Sequence, residues 1–195
     1  MAMQHTPLLM SNILDRGATV APNEEIVTLT ETGVRRQTYR ETRDRAHQLA
    51  HALAGAGIKV GDRVGTFMWN GSRHLEAYHA VAGMGAVLHT LNVRLSPKDL
   101  EYIINHAEDQ IIIVDADVLP LLEVLNGKIP CVRKVVVATE EGFEGWSTEL
   151  PDPVDYEAFI EGQPTHFDWP QGGNQHDYPA VKPTSARTFT VVTDA

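Results

Sequence analysis

The sequence has almost no cysteine, with Cys131 as the only one among 195 residues. A single thiol excludes an intrachain disulfide and a zinc site built on cysteines. A long apolar run is also missing, because the longest, over residues 80–88, falls far short of the roughly 20 residues that span a bilayer. Residues 1–15 lack the basic start and apolar centre of a signal peptide. We therefore expect a cytoplasmic protein with no transmembrane segment.

Basic charge is in short supply as well. The chain carries 16 lysines and arginines against 26 acidic residues, which gives a formal net charge of −10. Such a charge repels phosphate backbones and anionic membrane surfaces, so general binding to nucleic acid and membrane attachment through charge alone are excluded. Apolar residues make up 43% of the chain and charged residues 22%. These values are close to the averages of soluble globular proteins, so we expect neither wholesale disorder nor a coiled-coil rod.

What the sequence does contain is a regular alternation of extended and helical patterns. Short β-branched or apolar runs predict strands over residues 25–30, 34–38, 63–69, 86–91, 111–114 and 132–138, with the runs over 86–91 and 111–114 typical of buried strands. Helical periodicity predicts helices over residues 38–56, 72–84, 96–106, 117–125 and 155–161. Thr38 and Glu41 have the spacing of a capping box, and Ser96 with Pro97 marks another helix start. This order predicts an α/β fold with a mainly parallel sheet and helices on both faces.

The last part of the chain differs in kind from the rest. Residues 171–195 show neither helical periodicity nor clear alternation before residue 188, and their two acids balance their two bases. All ten net negative charges therefore belong to residues 1–170. We expect two parts, an α/β unit over residues 1–170 and an unrelated, disordered tail over residues 171–195.

Five histidines are candidates for metal or acid–base chemistry, and the sequence pattern favours structural roles for all of them. His47 and His51 lie one turn apart on a predicted helix, opposite its apolar stripe and without an evident third ligand, so we expect both in solvent. His74, His79 and His89 lie within apolar segments. We expect these three to be packed and hydrogen-bonded, not catalytic.

Two further patterns resemble functional sites but stand in the wrong place. The glycines of residues 55–61 resemble a dinucleotide fingerprint, yet they end a helix, whereas a phosphate needs the amides that begin one. Asp115 and Asp117 precede a predicted helix, where acidic residues favour the helix dipole, and Glu140 and Glu141 lie in a predicted loop. Residue patterns therefore predict no catalytic, cofactor-binding or metal-binding residue in this chain.

One segment carries a more specific signal. Residues 69–96 read WNGSRHLEAYHAVAGMGAVLHTLNVRLS. This resembles the phrase W-N-x-x-x-H-L-E-x-Y-x-A-V-x-G-M-G-A-V-x-H-T-x-N-x-R-L of the medium- and long-chain acyl-CoA synthetases, which are adenylate-forming enzymes. Residues 38–39, 61–64 and 103–109 are similar to further parts of that family, and the likeness extends over roughly residues 8–170. Val93 departs from the pattern, because the family usually has proline there.

The resemblance implies the first subdomain of the large domain of an adenylate-forming enzyme. In that family a carboxylate attacks the α-phosphate of ATP to give acyl-adenylate and pyrophosphate, and the thiol of CoA then displaces AMP. For full-length members this implies fatty acid and CoA as partners, with ATP and Mg²⁺ required as well. None of the family's catalytic residues has a counterpart in this chain.

The family's phosphate-binding machinery is missing from these residues. The phosphate loop, of the form T-S-G-T-T-G-x-P-K-G, follows the region that matches residues 167–170, and here the likeness ends at that point. We therefore expect a chain that alone binds no ATP, Mg²⁺ or CoA, has no ligase activity, and self-associates through uncovered apolar surface. Three explanations stay open: a truncated ligase, a short protein that uses the first lobe as a binding or regulatory module, and one half of a split enzyme.

Overall fold

The computed structural model describes residues 9–30, 33–139 and 145–170, and a five-stranded parallel sheet lies at its centre. In chain order its strands are Arg63–Phe67 (β3), Val87–Thr90 (β4), Ile111–Asp115 (β5), Lys134–Ala138 (β6) and Pro153–Asp155 (β7). They are arranged as β4-β3-β5-β6-β7, and every neighbouring pair is parallel. Two earlier strands, Glu25–Thr30 (β1) and Gly33–Thr38 (β2), form a separate antiparallel hairpin.

The helices of the described ranges cover both faces of the sheet. They are Met10–Val20 (α1), Tyr39–Gly55 (α2), Ser72–Gly83 (α3), Pro97–Ala107 (α4), Leu119–Glu123 (α5) and Tyr156–Ile160 (α6). Residues of α1, α2, α3 and α6 pack with Val64 and Ile113 on one side, the α3 face, while α4 and α5 pack with Phe67 and Ile112 on the other, the α4 face. Alternate residues of each strand point to opposite faces. The predicted α/β fold is confirmed.

The chain changes direction across the sheet at β3. It leaves β3 through α3 to reach β4 on one side, and it then passes through α4 to β5 on the other side of β3. Because parallel crossovers are right-handed, two crossovers that run in opposite directions place their helices on opposite faces. The carboxyl ends of β3 and β5 therefore border a topological switch point, the place where open α/β sheets bind ligands.

Both predicted helix starts are confirmed. At α2, the Glu41 backbone N–H donates to Thr38 Oγ1 at 3.2 Å, and the Thr38 backbone N–H donates to the Glu41 carboxylate at 2.8 Å. At α4, the Asp99 backbone N–H donates to Ser96 Oγ at 3.3 Å, and Pro97 occupies the first turn. Each cap satisfies an amide that the helix itself leaves without an acceptor.

Several element predictions need correction. The strand predicted as buried over residues 86–91 is β4, an edge strand that is half-exposed because it has a strand neighbour on one side only. The helix predicted over residues 117–125 is shorter and runs over Leu119–Glu123. The sequence patterns predicted neither α1 nor β7, and β7 ends at Asp155, where the predicted helix over residues 155–161 begins.

Within the described ranges, no helix combines the length and the apolar character that crossing a bilayer requires. Glu140, Glu141 and the tail predicted over residues 171–195 lie outside the described residues. The division of the chain at residue 170 therefore stays a prediction.

Candidate functional site

At the switch point, the loop after β3 is fastened to the loop after β5. Trp69 donates its backbone N–H to Asp115 Oδ2 at 2.7 Å and its indole Nε1–H to Asp117 Oδ2 at 2.7 Å. The expected role of these two aspartates at a helix start is wrong, because α5 begins at Leu119 without an acidic residue in its first turn. Their carboxylates instead hold Trp69 across the sheet edge.

His74 holds the same loop from below, as a packed and hydrogen-bonded histidine. One ring nitrogen, Nδ1, lies 3.1 Å from the carbonyl oxygen of Trp69, and the other, Nε2, lies 3.1 Å from Thr66 Oγ1. Burial lowers the pKa of His74, while the bond to the Trp69 carbonyl opposes that shift. A neutral ring with its proton on Nδ1 donates to the carbonyl and accepts from the threonine hydroxyl, which satisfies both bonds.

An open depression of about 230 Å³ lies beside these contacts, lined by Asn70, Gly71, His74, Leu75 and Tyr78. Its lining contains no arginine or lysine, and His74 already uses both ring nitrogens. A triphosphate needs cations and converging backbone amides around it. The depression therefore has room for a small apolar group and lacks the charge that would hold a nucleotide.

A buried ion-pair network lies under the α3 face. Glu76 of α3 is fully buried and accepts hydrogen bonds from Gln37 Nε2 at 2.8 Å, Arg45 Nε at 2.8 Å and the Tyr156 hydroxyl at 2.7 Å. Arg45 also forms a two-pronged pair with Glu157, at 2.8 and 2.9 Å. The network ties β2, α2, α3 and α6 together.

The charges of this network shift one another's acidity. Burial raises the pKa of the Tyr156 phenol well above its usual value, and the nearby charge of Glu76 adds to the shift. Burial acts to raise the pKa of Glu157, but hydrogen bonds and charge from Arg45 and Arg73 more than offset it, and the pKa is lowered. Glu76 accepts three hydrogen bonds and both carboxylate oxygens of Glu157 accept from Arg45, so the network holds its four elements together.

The sequence patterns missed this network. Glu76 stands in the helix predicted over residues 72–84, which is rich in apolar residues, and a lone carboxylate in such a helix signals that a partner must be buried with it. Its partners Gln37, Arg45 and Tyr156 come from three other elements, so no local pattern could identify them.

His79 is buried as predicted, whereas His89 is hydrogen-bonded but only partly buried. His89 Nδ1 lies 2.8 Å from Asp109 Oδ2, and Asp109 is fully buried under the α4 face. Burial raises the pKa of Asp109, with the hydrogen bond to His89 opposing the shift. His79 is 8% exposed, and burial lowers its pKa against a hydrogen bond to the Met10 backbone.

The expectation that His47 and His51 lie in solvent is wrong. His47 is 3% exposed, bonded to Asp15 of α1 and to the backbone of Phe167. His51 is partly buried, and its Nε2 bonds the backbone carbonyl of His166. The helical pattern places both residues opposite the apolar stripe correctly, but α1 and residues 163–169 cover that side of α2.

In the part of the chain that the structure describes, no group of three or more histidine, cysteine or acidic side chains could hold a metal ion. The best-organised features are therefore the fastened loop at the switch point, the apolar depression beside it and the charged network beneath them. The first two lie at the sheet edge and the network joins β2, α2, α3 and α6, and their contacts are those of a supporting framework.

Comparison with known proteins gives a consistent family match. The family described as AMP-binding enzyme matches residues 14–186. A long-chain-fatty-acid–CoA ligase of Thermus thermophilus is 46% identical over 159 residues, covering 78% of this chain and 29% of the ligase. A medium-chain-fatty-acid–CoA ligase of Ectopseudomonas oleovorans is 34% identical over 169 residues, covering 86% of this chain and 31% of the ligase.

Solved structures agree in fold. An anthranilate–CoA ligase crystallised with anthranoyl-AMP has a TM-score of 0.72 and 26% identity, over 88% of this chain and 32% of that structure. The chain thus spans about 30% of the length of the curated relatives that it matches.

Proposed function

Since the chain belongs to the AMP-binding enzyme family, we propose that it forms one lobe of a fatty-acid–CoA ligase. The observation that carries this proposal is the 46% identity to the Thermus thermophilus long-chain ligase. In the whole ligase a carboxylate oxygen of the fatty acid attacks the α-phosphorus of ATP, and pyrophosphate leaves. The sulfur of CoA then attacks the acyl carbonyl, and AMP leaves. Mg²⁺ balances the charge that develops on the phosphates.

In that reaction this lobe supports the rest of the ligase and supplies none of the reacting groups. Its described residues contain no metal-binding group, and the depression at the switch point has no cation in its lining. We propose that ATP, Mg²⁺ and CoA are bound by the rest of the ligase, and that the 195-residue chain alone forms neither acyl-adenylate nor thioester.

The first experiment measures exchange between ATP and labelled pyrophosphate, with the purified chain, Mg²⁺ and a long-chain fatty acid. We expect no exchange above the protein-free blank, because the depression at the switch point has no lysine or arginine in its lining and a triphosphate needs cations around it. The full-length Thermus thermophilus ligase, assayed in parallel, is the positive control. Exchange by the isolated chain that rises in proportion to its concentration would contradict the inactivity.

A second experiment tests the ligase assignment itself. The lobe of the Thermus thermophilus ligase that matches this chain is replaced by residues 9–170, and acyl-CoA formation is measured. We expect a folded chimera that retains fatty-acid–CoA ligase activity, because the lobe supports the reaction and the reacting groups come from the remainder. A chimera that folds, as judged by circular dichroism, but has lost all activity would contradict the assignment.

A second candidate function is a non-catalytic binding module that uses this lobe alone. The observation in its favour is that helices already cover both faces of the sheet, so the described residues form a core of their own. Against it stands the exposed outer face of the β1–β2 hairpin, where Leu29 is 83% exposed beside Val27 and Val34. Light scattering separates the two: self-association through this face favours a lobe that lacks its neighbours, and a stable monomer favours the module.

A further inference from the structure

Residues 163–170, here called the strap, cross α2 without forming a helix or a strand of their own. Three α2 side chains within about one turn bond main-chain groups of the strap: Gln48 Nε2 donates to the Gln163 carbonyl at 3.2 Å, His51 Nε2 to the His166 carbonyl at 2.7 Å, and the Phe167 N–H donates to His47 Nδ1 at 2.8 Å. The strap is thus attached to α2 through side chains, and two of the three are histidines.

His47 is the central contact of this attachment. Its Nε2 lies 3.2 Å from Asp15 Oδ1 of α1, and its ring packs 4.6 Å from the ring of Trp169. A backbone N–H can only donate, so His47 Nδ1 must carry a lone pair to accept from Phe167. The docked strap therefore requires a neutral His47 with its proton on Nε2, where it can donate to Asp15.

The far end of the strap is held by close packing. A Cβ atom added to Gly83 would lie 2.9 Å from Cζ3 of Trp169, so the indole lies directly on the glycine at the end of α3. Phe167 packs between His51, at 4.8 Å, and Trp169, at 5.1 Å. Loss of the Phe167 bond would therefore loosen a contact that spans α2 and α3.

We propose that His47 is a proton-controlled latch: the strap is docked while the His47 ring is neutral, and protonation of Nδ1 releases residues 163–170 from α2. A protonated ring would place two N–H groups face to face, since Phe167 N–H and the new Nδ1–H cannot bond each other. The proposal concerns how residues 163–170 lie against α2. It does not depend on whether the lobe belongs to a ligase.

The groups around His47 favour a neutral ring, and therefore a docked strap, at neutral pH. Burial lowers the pKa of His47, and the hydrogen bond and charge of Asp15 oppose that shift. The charges of Arg43 of α2 and His166 of the strap lower the pKa of His47 further. Asp15 also interacts with His79 of α3, and His166 pairs with Asp168 at 3.3 Å. His51 of α2 is a further titratable group near the strap. A histidine with a lowered folded pKa stabilises docking above its ordinary pKa of about 6.5, and this stabilisation is lost as the pH falls through the docked value.

The experiment follows the Phe167 amide of the full chain by hydrogen exchange between about pH 7.5 and about pH 5, corrected for the intrinsic rate. In the acidic range we expect its protection to fall by up to about tenfold per pH unit, the limit for one proton. The variant His47→Asn keeps an acceptor in the place of Nδ1 but cannot titrate, so its protection should not depend on pH. His51→Gln, which keeps a donor to the strap, should behave like the wild type.

A direct measurement on the unmodified chain accompanies these variants, because a variant that fails to fold would otherwise leave no comparison. Nitrogen-15 NMR of the His47 ring at about pH 7.5 should show the proton on Nε2. A proton on Nδ1 overturns the proposal. Phe167 protection that is independent of pH in the wild type, or that depends on pH equally in His47→Asn, also overturns it.

Discussion

The two faces of the sheet bury very different chemistry. On the α3 face, polar and charged side chains lie among the apolar ones: Gln37, Thr42, Arg45, His47, Arg73, His74, Glu76 and His79. On the α4 face the buried residues are apolar in the main, and Asp109 is the buried charge there. The same strands supply both faces, so the contrast comes from the helices and the hairpin that pack on them.

The polar face is the one that specifies a unique arrangement of its elements. Apolar packing tolerates rearrangement if volume is kept, whereas a buried carboxylate with three donors has one geometry in which all are satisfied. Glu76 therefore fixes how β2, α2 and α6 meet α3, while the α4 face contributes stability through area.

The strongest test of this comparison is Glu76→Ala. The substitution removes the acceptor that Arg45 Nε, Gln37 Nε2 and the buried Tyr156 hydroxyl share. We expect the free energy of unfolding to fall by about 3–5 kcal/mol, the cost of breaking a buried charge pair. Urea denaturation followed by circular dichroism measures it.

Two controls frame that result. Glu76→Gln keeps the size of the side chain and an acceptor oxygen, so its loss should be clearly smaller. Ile112→Val removes one methyl group from the α4 face, where Ile112 is fully buried, and should cost about 1 kcal/mol. If Glu76→Ala cost no more than Ile112→Val, the contrast between the faces would have no energetic meaning.

The second test uses Asp109, the buried charge of the α4 face. Its Oδ2 bonds His89, and its Oδ1 has no partner among the described residues. Burial raises the pKa of this carboxyl, so the folded state binds its proton more tightly than the unfolded state. Stability supplied by Asp109 is therefore greatest in acid and is lost as the pH rises through the raised pKa.

Asp109→Asn removes this titration. Between about pH 4 and about pH 7, the unfolding free energy of the variant should rise relative to that of the wild type, because only the wild type loses the stability that the protonated Asp109 supplies. Urea unfolding of both proteins at several pH values gives the difference. A difference in unfolding free energy that stays constant across that range would mean that the pKa of Asp109 is not raised by folding. The α4 face would then bury no carboxyl that favours its protonated form.

Sequence patterns predicted the parts of the fold that depend on neighbours along the chain. The α2 and α4 caps, the β5 strand and the end of α2 near Gly55 all follow from residues within a few positions of one another. The family followed from the phrase over residues 69–96 and is confirmed by the AMP-binding match.

What the patterns could not predict depends on partners far along the chain. A helical wheel shows that His47 faces away from Leu49, yet it cannot show that α1 and the strap cover that face. It marks Glu76 as an unusual carboxylate in an apolar helix without naming Tyr156, 80 residues away, as its donor. The β4 run looks buried, but its place at the sheet edge is set by topology and not by composition.

A further test uses the two helix caps, one on each face. Thr38→Ala removes the hydroxyl that accepts from Glu41 N–H at α2, and Ser96→Ala removes the one that accepts from Asp99 N–H at α4. Each substitution should lower the free energy of unfolding in urea by about 1 kcal/mol. The two losses should be equal, because a cap satisfies amides of its own first turn whichever face of the sheet its helix covers. Thr38→Ser, which keeps the hydroxyl, should be near neutral. A much larger loss for Thr38→Ala than for Ser96→Ala would show that the α2 cap also orients Thr42, which bonds the carbonyl of Thr38 and lies against Gln37, and the contrast between the faces would then reach the helix ends.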